Sequence, residues 1–143
     1  MIGIGSDHGG FLLKQEIIAH LENKGIVVKD FGCYNQEAVD YPEYGQAVAK
    51  AVQSGECESG IVVCGTGIGI SIAANKVKGI RCALVHDCFS AKATKEHNNS
   101  NMLALGARVI GPGLALEIVD IFLSTPFSNE ERHQNRINQI EEN

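Results

Sequence analysis

Five short runs rich in aliphatic and β-branched residues alternate along this chain with amphipathic stretches, and that order constrains the fold more than any other feature. The runs are Ile2–Ser6, Ile26–Phe31, Gly60–Cys64, Arg81–Val85 and Met102–Leu105. The stretches between and after them, about 10–24, 42–54, 68–77, 88–97 and 112–124, read as helices. Asn23-Lys24-Gly25 and Ser54-Gly55 have the composition of helix ends, and Tyr41-Pro42 that of a helix start with proline in the first turn. Five βα repeats in succession predict a five-stranded parallel sheet. Right-handed crossovers then place helices on both faces, giving a three-layer α/β/α sandwich whose ligand groups gather beyond the carboxyl ends of the strands. A chain of 143 residues, 44% hydrophobic, suits one domain over 1–143 with a core complete by about residue 125.

Charge and cysteine usage narrow the partners. A formal charge of −5 argues against a nucleic-acid groove or an anionic membrane surface, while leaving room for a small, locally basic pocket for an acidic metabolite. The five cysteines at 33, 57, 64, 82 and 88 are odd in number and show no C-x-x-C spacing; no signal peptide or membrane-length apolar run accompanies them. A reduced, cytoplasmic protein is expected. The histidines at 8, 20, 86, 97 and 133 lack paired ligand spacing with those cysteines, so no metal site is expected.

Residues 61–76, I-V-V-C-G-T-G-I-G-I-S-I-A-A-N-K, hold the clearest chemical signal. An apolar run ends in Cys64, and glycines at 65, 67 and 69 lead into a helix. Such glycines let the backbone approach a ligand, and the amides that open the next helix suit an anion. The plain alternative is a strand-to-helix turn with a small buried thiol. Other polar segments follow the same pattern: Ser6-Asp7-His8-Gly9-Gly10 after the first strand, His97-Asn98-Asn99 after the fourth helix and Gly106-Ala107-Arg108 after the fifth strand. All four segments are expected to converge on one rim. Asp7 could equally be a helix cap, and His97 an imidazole placed at a helix end. His86-Asp87-Cys88 holds the letters of a nucleophile triad, but adjacent residues rarely meet in that geometry, so it reads as a loop and helix start.

The tail adds cations. Ser128 to Glu131 fits a capping box, S-x-x-E, opening a helix over about 129–141 in which Arg132, His133 and Arg136 share one side. A solvated charged face is the plain alternative, since glutamates crowd the same segment. Arginine, however, occurs only at 81, 108, 132 and 136, and three of the four fall in candidate site segments, where a planar guanidinium grips phosphate well. This helix lies beyond the five-stranded core and is expected to pack elsewhere, a second subunit being one candidate surface.

Taken together, G-S-D-H-G-G at 5–10, D-Y-P at 40–42, C-G-T-G-I-G-I-S-I-A-A-N-K at 64–76, E-H-N-N-S-N at 96–101, G-A-R-V-I-G at 106–111 and R-H-Q-N-R at 132–136 resemble the type B ribose-5-phosphate isomerases across essentially the whole chain. The resemblance implies a Rossmann-like fold and an aldose–ketose isomerase that needs no metal or cofactor, working as a homodimer or homotetramer with each site shared between subunits. It implies Cys64 as the base that moves a proton between C1 and C2, with Thr66 in the same loop and the backbone of Gly65, Thr66, Gly67, Ile68 and Gly69 holding the enediolate. A thiol at a helix N-terminus ionises more readily than a free one, which suits that role. His97 matches the ring-opening residue. Asp7, His8, Asn98, Arg108, Arg132 and Arg136 match substrate positions, and His133 lies beside them. Family members that lack the cysteine carry a carboxylate in the glycine loop; here that position is Ile70.

The leading expectation is interconversion of ribose 5-phosphate and ribulose 5-phosphate in the pentose phosphate pathway. Allose-6-phosphate or galactose-6-phosphate isomerisation is the near alternative. A non-catalytic nucleotide- or metabolite-binding domain is the alternative of another class; against it, the glycines follow neither G-x-G-x-x-G nor the P-loop pattern.

Overall fold

The computed structural model of the chain describes all 143 residues. Strands β1 (Ile2–Ser6), β2 (Val28–Asp30), β3 (Ser59–Cys64), β4 (Cys82–Leu84) and β5 (Met102–Gly106) alternate with helices α1 (Phe11–Asn23), α2 (Tyr41–Gln53), α3 (Ile68–Asn75), α4 (Cys88–Asn98) and α5 (Pro112–Ser124), and α6 (Glu131–Glu141) follows. All strand pairs are parallel, in the order β2-β1-β3-β5-β4. The expected α/β/α sandwich is the observed fold.

Crossover handedness explains which helix lies where. The chain steps one way across the sheet from β1 to β2 and from β4 to β5, and the opposite way from β2 to β3 and from β3 to β4. Right-handed crossovers therefore put α1 and α4 on one face and α2 and α3 on the other. The core divides accordingly. Ile4, Ile61, Val63, Leu103 and Leu105 pack with Ile17, Leu21, Ile118 and Phe122 on one side, while Val62, Cys64, Met102 and Ala104 meet Val48, Ala49, Ile70 and Ala74 on the other. Successive β3 residues thus alternate between two buried faces, which is why its sequence is an unbroken apolar run. Cys64 points to the α2–α3 side.

The edge strands are shorter than their sequence patterns. β2 begins at Val28 rather than Ile26, because its one neighbour, β1, begins at Ile2, which pairs with Val28 and leaves nothing for Ile26 to pair with. At the tail, Ser128 does not cap α6. Glu130 occupies the cap position, and the Ser128 hydroxyl instead accepts from the Glu130 amide at 3.2 Å and meets His133 Nδ1 at 2.8 Å. α6 packs on α4 of its own chain, with His133 and Ile137 one turn apart on the buried stripe.

One charged group is wholly enclosed. Lys14 on α1 has no exposed side-chain surface; its ammonium reaches Asp30 Oδ1 at 2.6 Å and the Cys33 carbonyl, and lies over the rings of Phe11 and Tyr34. A buried charge persists only when paired and hydrogen-bonded, and here the pairing fastens the segment after β2 to α1.

Candidate active site

At the carboxyl end of the sheet, β1 and β3 send their following helices to opposite faces, and the crevice between them is the usual ligand position in an open parallel sheet. Two loops line it. Asp7 is buried, and its Oδ1 accepts from the Gly10 amide at 3.0 Å, capping a single 3-10 turn over His8–Gly10. That bond uses one carboxylate oxygen and leaves the other without a protein partner. His8 Nδ1 accepts from the Val39 amide at 3.1 Å, so a neutral ring carries its proton on Nε2. The second loop starts at Cys64 and is close by: a methyl group on Gly9 would lie 3.6 Å from the Gly65 nitrogen.

Cys64 is nearly enclosed, with 5% of its surface exposed, and the Gly67 amide donates to its sulfur at 3.1 Å. Gly67 has φ +77°, and a Cβ there would sit 2.8 Å from the Leu105 carbonyl carbon, so both backbone conformation and space demand glycine. The Thr66 hydroxyl accepts from the Ile68 amide at 3.2 Å, which leaves its own hydrogen for another acceptor. Strand β5 supplies the third part. The Ala107 and Arg108 amides donate to the carbonyls of Cys64 and Gly65, both at 2.9 Å, and the exposed Arg108 side chain runs past Gly65. Tyr41, which the sequence marks as a helix start and as part of the D-Y-P motif of the resemblance but not as a site residue, rests its ring over Gly69 and joins this rim.

The remaining candidates lie at the other end of the sheet. Helix α4 starts beyond the carboxyl end of β4 and runs back, so its last turn, with His97 and Asn98, reaches the amino end, where Arg81 and Asn101 precede β4 and β5. The expected convergence of four segments on one rim therefore fails within one protomer. His97 instead stacks on His133, ring centroids 4.5 Å apart and planes tilted by 39°, while Arg132 and Arg136 stand one turn apart on the exposed side of α6. The His133 imidazole is held below its ordinary value, first by burial and then by the charge of Arg132. Arg132 contacts Glu130, whereas Arg136 and Arg108 form no ion pair. Cys64, Thr66, Asp7, His8 and Arg108 thus gather at one end of the sheet as one candidate half-site, and His97, Asn98, Arg132, His133 and Arg136 at the other as a second.

The His86-Asp87-Cys88 run is the loop and helix start that its sequence suggested. Asp87 caps α4 through the Ser90 amide at 2.7 Å, and His86 Nε2 accepts from the Gly106 amide at 3.2 Å, so the two form no triad with Cys88. Burial pushes the Cys82 thiol up to about 12, which leaves it protonated and inert.

Residues 2–140 match the model of the Ribose/Galactose Isomerase family. The chain belongs to that family. This family member is 48% identical over 139 residues to a ribose-5-phosphate isomerase B of Escherichia coli, covering 97% of its own length and 93% of that protein's. It is 44% identical over 142 residues to a galactose-6-phosphate isomerase subunit of Clostridium acetobutylicum, covering 99% and 82%. Among solved structures, ribose-5-phosphate isomerase B of Clostridium thermocellum superposes with a TM-score of 0.97 at 55% identity, covering 99% of this chain and 95% of that one. The protein is thus an isomerase by family, by sequence and by fold.

Proposed function

We propose that this isomerase interconverts ribose 5-phosphate and ribulose 5-phosphate through an enediolate, with Cys64 as the base. The observation that carries this reading is the Cys64 sulfur at the sheet's switch-point crevice, receiving an amide hydrogen from the loop that also lines the ligand space. As a thiolate, Cys64 takes the proton from C2 of the open-chain aldose. The C2–H electron pair becomes the C1–C2 double bond, and negative charge develops on O1, for which the amides of Gly65, Thr66 and Gly69 are suited, those of Gly67 and Ile68 already serving Cys64 and Thr66. One such donor is typically worth roughly 2.7–4 kcal/mol in the transition state. The O2 proton passes to O1, a transfer that the Thr66 hydroxyl is suited to relay, and the thiol returns its proton to C1 to leave the ketose. Imidazole at His97 is suited to opening the furanose ring, and Arg108, Arg132 and Arg136 to gripping phosphate.

Because the two half-sites lie at opposite ends of one sheet, the reading requires a second copy that brings its His97 and arginines to the first copy's Cys64. A covering partner also suits α3, an apolar helix that leaves Ile68 and Ile72 more than half exposed beside Tyr41 and Leu84. The test is turnover of purified wild type and Cys64→Ala with ribose 5-phosphate in the presence of EDTA. Wild-type turnover is expected, with the variant losing it while still binding substrate by calorimetry; a variant that keeps most of its activity removes Cys64 as base. Galactose 6-phosphate and allose 6-phosphate, assayed in parallel, decide whether the pentose is preferred.

A further inference from the structure

Of the four arginines, Arg81 is the one that no candidate site segment contains. It precedes β4 at the amino end of the sheet, and its guanidinium is engaged on three sides by the chain. Nε donates to the Asn98 carbonyl, Nη2 to the Asn99 carbonyl and Nη1 to Glu141 Oε1, each at 2.9 Å. Asn98 is the last residue of α4, and Asn99 caps it in the left-handed region with φ +44°. Carbonyls at a helix end lack intrahelical partners, and a planar fork can satisfy two of them while also pairing with a carboxylate; an ammonium cannot cover that geometry. The Arg81 backbone is itself fixed, its amide donating to Asn101 Oδ1 at 2.8 Å, and its side chain is only 18% exposed.

The parts joined by this guanidinium are those of the second half-site. Near its start, α6 is tied to α4 by the Ser128 amide on the Glu96 carbonyl at 3.2 Å and by the His97–His133 stack. Its far end is held by Glu141 on Arg81. We propose that Arg81 is a positioning residue of the shared site: it locks the last turn of α4, with His97 and Asn98, in register with Arg132, His133 and Arg136 on α6. This rests on the reading under which that half-site serves catalysis. Arg81 acts through the groups it holds and does not touch the sugar.

The experiment compares wild type with Arg81→Met, Arg81→Lys and Glu141→Gln. It measures kcat and KM for ribose 5-phosphate, the thermal midpoint, iodoacetamide labelling of Cys64 by peptide mass spectrometry, and the imidazole NMR signals of His97 and His133. Arg81→Met is expected to lower kcat/KM by about tenfold to a hundredfold, the usual cost of ångström-scale misplacement. The His97 and His133 signals should move while Cys64 labelling stays at the wild-type rate. Lysine should rescue little, and Glu141→Gln should lose less, because both carbonyl contacts remain. Wild-type kcat/KM in Arg81→Met overturns the proposal, as does a loss that tracks the thermal midpoint with both imidazole signals unmoved. Should Arg81→Met fail to fold, Glu141→Gln decides: unmoved signals and full activity count against the proposal. Absence of sugar-phosphate turnover in wild type would refute the functional reading, whereas the imidazole signals report on positioning independently of turnover.

Discussion

His133 shows how a residue legible as a cation in sequence can do different work in the fold. Its spacing from Arg132 and Arg136 marked all three as one charged stripe, yet the ring turns inward to the Ser128 hydroxyl and to His97, leaving the two arginines outside. Burial, with the neighbouring Arg132 charge, holds the imidazole below its ordinary 6.5. The folded protein therefore binds fewer protons here than the unfolded chain once pH drops below about 6.5, and the linkage makes stability fall as pH falls through the window from there to the depressed folded value. Urea midpoints measured from pH 8 to pH 5 should decline more steeply for wild type than for His133→Gln; parallel curves would contradict the assignment. Cys64 and Asp7, by contrast, stand at strand ends as their sequence predicts, because an apolar run that stops at a polar residue marks where a parallel strand leaves the core.

Among the elements, helix and strand periods carried most of the information. β1 and α5 stand at the residues their patterns predict, whereas β2 starts two residues late, because pairing with a neighbour ends an edge strand before its own pattern does. The capping box at Ser128 misses a local contest: its hydroxyl has two partners, Glu130 and His133, and the second is invisible without tertiary structure. The start of α3 is governed more strictly. Its cap, Gly67, lies in the left-handed region, hard against Leu84 and the Leu105 backbone. Alanine there costs about 1–2 kcal/mol from backbone conformation alone, and the clash adds to it. Gly67→Ala is expected to lower the thermal midpoint by several degrees, about 2–8 °C for each kcal/mol. It should also cut kcat/KM by at least about tenfold, since the amide that meets Cys64 belongs to this residue. Unchanged kinetics would show that the Gly67 amide does not support Cys64 as the base.

For the molecule as a whole, residue types and spacing gather four candidate segments on one rim, and topology divides them. A helix that follows a parallel strand must run back before the next strand begins, so what closes α4 stands with the strand starts, whereas Cys64 stands with the strand ends. A site shared between two copies predicts complementation. Cys64→Ala and His97→Ala should each be nearly inactive, and mixing them after reversible dissociation should restore about one quarter of wild-type activity, because half of randomly formed dimers are mixed and each holds one intact site. No recovery on mixing would mean that Cys64 and His97 do not complete one site between two copies. The sheet then acquires a further office as a ruler. A five-residue strand such as β5 spans roughly 16 Å and, under the shared-site proposal, would set the distance between the two halves each chain contributes. Loops at either end can vary in length without altering that gauge, but a residue added within β3 or β5 would be felt twice over, once in each of the paired sites.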